Sequence, residues 1–320
     1  MQIYFLGDAI KRRRLELGLT QEQLCEGICE PITISRLENG KQTPSRARLE
    51  ALMERLDMPQ YQYYALLSKR ELEIEALQRE IVSLNVKFGQ ATGEEKAKLR
   101  QEALQAHKAL AEMADPDDKI SQQVILRSKV ILGKEDGRYS REEERQMLLQ
   151  AIRLTCPSFD PEDISRGLYT SREIKIINQL ALVHVYAGEH MEAIEIYSQL
   201  YKYIRKHYRL IPPTTAHFPM IAFNYARELG LIGQYEKSIE IAQEGRQVCL
   251  DYGHYLYLSS LLSIFAECYY RLGDIEKSKD YYYQTYYMTK AIGDTYNAEI
   301  TRNEAKSYLG IDLDCQNPHP

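Results

Sequence analysis

GEHMEAIEIY at residues 188–197, GQYEKSIEIA at 233–242 and GDIEKSKDYY at 273–282 are three versions of one pattern. Each opens on a glycine (Gly188, Gly233, Gly273) and reaches a small residue five positions later (Ala193, Ser238, Ser278). An alanine stands twelve positions before that small residue in every case (Ala181, Ala226, Ala266), and the units recur 45 and 40 positions apart. Such a period marks a stacked repeat. Small residues at two set points let the helices of a hairpin approach closely, the glycine ends the first helix, and apolar or aromatic positions fill the space between units. Working outward, residues 119–156 and 67–113 read as degenerate earlier units and 295–309 as a capping helix, so the chain is predicted to be all-α.

The units resemble tetratricopeptide (TPR) repeats, with a longer period. That resemblance implies a right-handed α-solenoid of about five hairpins, its concave inner surface built mainly from the first helix of each pair. The side of each first helix opposite the packed alanine carries Asn178, Gln179 and Leu182, then Phe223, Asn224 and Arg227, then Ser263, Ile264 and Glu267. Carboxamides on such a wall can pair donor and acceptor with an extended peptide backbone. Gln179 and Asn224 fall at equivalent sites, which suits a repeated contact; solvation or capping of a neighbouring helix is the other reading. Eleven of the 25 tyrosines lie between Tyr252 and Tyr296; most are read as inter-helix filler with hydroxyls at the solvent edge, and a minority as lining the groove.

The first sixty residues follow other rules. Residues 6–17 read as a helix with Ile10, Leu15 and Leu17 among its apolar positions, ended by Gly18. Thr20-Gln21-Glu22-Gln23 is a capping box opening a second helix, with Leu24 and Ile28 on its buried side. Glu30 and Pro31 open a third, with Ile34 and Leu37 inward, closed by Asn39 and Gly40. A first helix followed by two short ones joined by a turn is a helix-turn-helix layout. The strings LGLTQEQL (17–24) and ISRLENGK (34–41), followed by Pro44 and Ser45, resemble the lambda-repressor-like (XRE) family, a five-helix domain. This resemblance implies that the third helix enters the major groove, with Pro31, Ile32, Thr33, Ser35 and Arg36 toward the bases. Gln21 and Lys41 are then phosphate contacts, and Arg14 with Glu38 a structural ion pair.

Between the halves, Tyr61 to Leu67 lead into a charged helix whose Ile74, Leu77, Ile81, Leu84 and Phe88 form an a/d stripe. The stripe suits a neighbouring helix or a second copy of the chain. Four segments result: 1–60, the head; 61–118, a linker helix and degenerate first repeat; 119–310, a sensing and dimerising repeat domain; 311–320, a disordered tail.

Composition narrows the function classes. No apolar run approaches the roughly 18 residues of a membrane helix, and no signal peptide is evident, so a cytoplasmic protein without membrane partners is expected. The net charge is -5, all of it carried after residue 60, because nine Lys/Arg balance nine Asp/Glu before it. A neutral head binds DNA weakly alone, which favours a dimer. The six scattered cysteines suggest no disulfide framework; Cys25 and Cys29, one helical turn apart, lack the further ligands a metal site needs. With no phosphate loop, metal cluster or nucleophile motif, neither an enzyme nor a cofactor is expected. His184 and His190 read as packing or solvent residues.

An XRE-type head followed by such repeats resembles the RRNPP group of peptide-pheromone receptors. The strings GLTQEQL (18–24), NYAREL (224–229) and YEKS (235–238) are nearest its PlcR-like branch. The resemblance implies a transcription regulator in quorum sensing. It would be a homodimer, joined through its repeats, binding a palindromic double-stranded operator and a short signalling peptide. Asn224 would contact the peptide backbone, with Asn178, Gln179, Phe223, Arg227, Ser263 and Glu267 around it. A repeat domain that takes another protein instead of a peptide is the alternative.

Overall fold

The structure, a computed structural model, describes residues 6–42, 44, 46–56, 58, 69–134, 136–207 and 217–314. The described residues form helices and turns without strands. The chain divides into two compact units: residues 1–84 with 97–121, and residues 85–96 with 122–320.

The head in the first unit contains α1 (Leu6–Glu16), α2 (Gln21–Cys25), α3 (Pro31–Glu38) and α4 (Arg46–Arg55). A fifth head helix would fall within residues 59–68, which lie outside the described residues, as does the Tyr61–Leu67 joint. The core is Ile10, Leu24, Ile34, Leu37, Leu49, Leu52, Met53 and Leu56. Of the apolar positions of this first segment, Ile10 is buried, while Leu15 and Leu17 are 59% and 42% exposed. The inward face of α1 is set by Gly7, Ile10 and Arg14, three and four positions apart, and Arg14 forms the expected ion pair with Glu38. α2 ends at Cys25, so Ile28 packs on the core from the turn beyond it. Thr20 completes its predicted capping box, accepting from the N–H of Gln23 while the Gln23 side chain accepts from the N–H of Thr20.

Long helices follow: α5 (Lys69–Gln90) and α6 (Gly93–Met113). Along α5, Ile81, Leu84 and Phe88 of the a/d stripe are buried and Ile74 and Leu77 half-buried.

The repeats comprise α7 (Lys119–Gly133) with α8 (Arg141–Arg153), α9 (Ser171–Tyr186) with α10 (His190–His207), α11 (Phe218–Leu231) with α12 (Tyr235–Tyr252), and α13 (Leu258–Arg271) with α14 (Ile275–Ala291). α15 (Thr295–Leu309) ends the series. Each pattern glycine ends a first helix in the left-handed region, with φ of 75°, 81° and 81° at Gly188, Gly233 and Gly273. Ala181, Ala193, Ala226, Ser238, Ala266 and Ser278 are all fully buried. The two serines gain a further bond: Ser238 Oγ donates to the carbonyl of Ala226 (2.6 Å) and Ser278 Oγ to that of Ala266 (2.8 Å). Close approach within a hairpin therefore brings a satisfied hydroxyl instead of a void. This is the TPR-like helical repeat expected from the period.

Two details depart from the reading. Tyr282 is fully buried, and its hydroxyl has no hydrogen-bond partner among the described residues, so not every tyrosine tip reaches water. Leu313 and Asp314, assigned to the tail, are held: Leu313 is fully buried, while Asp314 pairs with Arg302 and accepts from the Tyr286 hydroxyl. Residues 315–320 lie outside the described residues.

Candidate functional site

In the head, α3 offers the candidate DNA-reading face. Pro31 opens it at the first position, where a missing N–H costs nothing. At its end, Asn39 Nδ2 donates to the carbonyl of Ser35 (2.6 Å). Ile34, Leu37 and Glu38 point inward. Ile32 (56% exposed) and Arg36 point outward, with Pro31, Thr33 and Ser35 half-buried beside them and Lys41 exposed just after the helix. Among the described residues, Arg36 and Lys41 have no ion-pair partner.

The side chain of Gln21 is placed differently from a free phosphate contact. Its Nε2 donates to Glu38 Oε2 (2.8 Å), joining a network in which Arg14 donates twice to Glu38, Nε to Oε1 (2.6 Å) and Nη2 to Oε2 (2.9 Å). Arg14 Nη1 also donates to the carbonyl of Leu19 (2.7 Å). Burial works to raise the Glu38 pKa. The hydrogen bonds from Arg14 and Gln21 and the charges of Arg14 and Lys11 outweigh it, holding the carboxyl below the ordinary range. This fork fixes α1, the α2 entrance and α3 to one another, and so presents the outer face of α3 as a rigid surface. The backbone N–H of Gln21 stays at the positive end of α2.

In the repeats, the expected inner-wall residues form a more closed arrangement than an open row of carboxamides. Asn224 Nδ2 donates to Asn178 Oδ1 (2.8 Å), and Asn178, Gln179 and Asn224 are all buried. Asn178 and Asn224 are therefore tied to one another across two neighbouring repeats. Ile264 is a core residue. Leu182, Phe223, Arg227, Ser263 and Glu267 are half-buried. Arg227 lies over the Phe223 ring (5.8 Å) and bonds Glu228 Oε1 (3.2 Å from Nη2). Glu228 is fully buried and also meets His190 Nδ1 (2.8 Å). His184 Nδ1 meets Glu189 (2.7 Å), so both histidines are fixed by carboxylates. Ser263 Oγ donates to the Ser260 carbonyl (2.8 Å).

Residues 10–59 match the helix-turn-helix family model HTH_3. The head is a helix-turn-helix domain. The whole chain is also similar in fold to solved regulators. PlcR of Bacillus thuringiensis, in complex with the peptide PapR7 and DNA, superposes with a TM-score of 0.68 at 20% identity, covering 94% of this chain and 99% of that one. The SHP pheromone receptor Rgg2 of Streptococcus dysgalactiae gives 0.56 at 13%, covering 94% and 99%. The competence regulator ComR of Streptococcus vestibularis, in complex with its signalling peptide XIP, gives 0.51 at 14%, covering 95% and 98%. No curated protein matches the sequence. These likenesses are of fold, a helical repeat domain behind a helix-turn-helix head.

Among the described residues, no helix is long and apolar enough to cross a membrane, and no group of three His, Cys, Asp or Glu is arranged for a metal ion.

The Asn178–Asn224 bond makes a testable claim. Asn224→Ala leaves the Asn178 carboxamide buried without this partner and is expected to cost about 1–3 kcal/mol. Asn178→Ala with Asn224→Ala together should cost less than the sum of the single changes. Urea unfolding of the three variants measures the difference; strict additivity would remove the bond from the account.

Proposed function

We propose that this protein is a sequence-specific DNA-binding transcription regulator that acts as a homodimer, and that its repeat domain binds a short signalling peptide. Peptide binding would favour one arrangement of the repeats and so re-space two heads on a palindromic operator. The observation that carries the DNA half is the outward face of α3, with Arg36 and Ile32 exposed on a helix locked from behind by Arg14 and Glu38. Support for the peptide half is the full-length likeness in fold to PlcR with PapR7 and DNA and to ComR with XIP. The half-buried Phe223 and Arg227 beside the Asn178–Asn224 pair give this chain a polar and aromatic patch where a peptide backbone can dock.

The DNA half is tested on a duplex selected from random sequence with the full-length protein. Arg36→Ala is expected to weaken binding by about 1–3 kcal/mol and relax the preference at one base pair. Lys41→Ala should weaken all sequences alike and lower the salt slope by about one. Fluorescence anisotropy at two salt concentrations separates the two. Undiminished affinity in a folded Arg36→Ala protein would take Arg36 out of the interface.

A further inference from the structure

Gly310, at φ 67°, ends α15 and turns the following residues back onto α14 and α15. Leu313 is fully buried there, in one cluster with Ala266, Tyr282, Tyr286, Ala298 and Ala305. Asp314, the next residue, meets three groups at once. Its Oδ1 accepts from the Tyr286 hydroxyl and lies 3.6 Å from Lys290 Nζ, while its Oδ2 accepts from Arg302 Nη1 at 2.9 Å. Two cations and a hydroxyl, carried by two helices, thus converge on one carboxylate.

Beside that carboxylate, α14 and α15 enclose a cavity of about 380 Å³. Tyr286, Lys290 and Arg302 line it together with Thr295 and Glu299, whereas Asp314 does not. The same three donors therefore border two places, one filled by Asp314 and one open. Leu313 and Asp314 are held with very different strength. Leu313 is anchored by complete burial. Asp314 is held by solvent-exposed ion pairs, with the side chains of Lys290, Arg302 and Asp314 54%, 41% and 42% exposed, and such pairs contribute little. The carboxylate can leave while the leucine stays. Charge then limits the occupancy. Lys290 and Arg302 already balance Asp314 and Glu299, whose carboxylate lies 4.0 Å from Arg302 Nη2. A further anion in the cavity replaces Asp314 instead of joining it, because like charges at this range repel.

We propose that the cavity between α14 and α15 is a site for a small organic acid, whose carboxylate takes Lys290, Arg302 and the Tyr286 hydroxyl from Asp314. Asp314 is the internal occupant of these donors, and the ligand frees it while Leu313 remains seated. The volume lies at the small end of ligand pockets, roughly 300–1,000 Å³, which suits an acid of a few carbons. Charge-assisted bonds from the two cations supply the recognition. The site lies apart from the Asn178–Asn224 pair and is independent of the peptide reading.

The test titrates the full-length protein with succinate, and with succinamide as its uncharged counterpart, by ligand-observed NMR. Succinate should bind and succinamide should not. Asp314→Asn removes the charge of the internal competitor and should tighten succinate binding at least about tenfold. Arg302→Gln should weaken it at least about tenfold, and Lys290→Gln provides the same comparison should Arg302→Gln fail to fold. Adding Arg302→Gln to Asp314→Asn should erase the gain, which a mere loss of negative charge at the surface would leave in place. Wild-type binding too weak to detect, beside clear binding to Asp314→Asn, is the predicted competition at its strongest. Equal binding of succinate and succinamide, no tightening or no binding in Asp314→Asn, or a gain that survives the loss of Arg302 overturns the site.

Discussion

Glu38→Ala is expected to destabilise the helix-turn-helix head by about 3–5 kcal/mol, the range for removing one partner of a buried ion pair. The loss has a definite anatomy. Arg14 and Glu38 are 7% and 5% exposed, and Glu38 accepts from Arg14 twice and from Gln21 once. Without the carboxylate, a buried guanidinium retains only the carbonyl of Leu19 as a described acceptor, and the entrance of α2 loses its tie to α3. Operator binding should disappear at temperatures where the helical signal of the repeats persists. A stability unchanged to within about 0.5 kcal/mol would show that the fork contributes nothing. The same pair fixes a pH dependence. The Glu38 pKa is depressed in the folded head, so its contribution is fully present above the ordinary carboxylate range and is lost as pH falls through the lower folded value. In wild type the head should weaken on acidification through that window, and in Glu38→Ala this component should be absent.

Gly245→Val should cost the repeat unit about 3 kcal/mol, the upper part of the usual range for overpacking. Gly245 is buried in the interior of α12, where glycine is otherwise unfavourable by roughly 0.5–1 kcal/mol relative to alanine. What it permits is contact on two sides. A Cβ there would meet the Ala222 Cβ of α11 at 2.8 Å and the Leu261 methyls of α13 at 3.0 and 3.2 Å. Valine adds two further methyls, so α11 or α13 must move. The urea midpoint should fall while the DNA affinity of the folded fraction changes little; a midpoint equal to that of wild type would mean that the helices have slack there.

Which features could be read from the sequence follows from how local their causes are. The hairpins were legible because a glycine of positive φ and two small residues twelve apart lie within one unit, and the capping helix at 295–309 matches α15 (Thr295–Leu309) for the same reason. The Arg14–Glu38 pair was legible through the resemblance of the head to the lambda-repressor-like family, in which the matching residues form an ion pair. The bond between Asn224 and Asn178 was not, because it forms between helices of two different repeats, far apart in the chain. Gly245 gave no warning, because its reason lies on α11 and α13.

Coupling between the peptide and the operator tests the account most directly. The full-length protein is titrated onto its selected duplex with and without a saturating peptide that it retains from a synthetic heptapeptide library, and the peptide is titrated with and without the duplex. The account predicts a shift in DNA affinity of about 1–3 kcal/mol, with the same factor appearing in the peptide affinity, as linkage requires. Identical DNA affinities in the presence and absence of a bound peptide would contradict it.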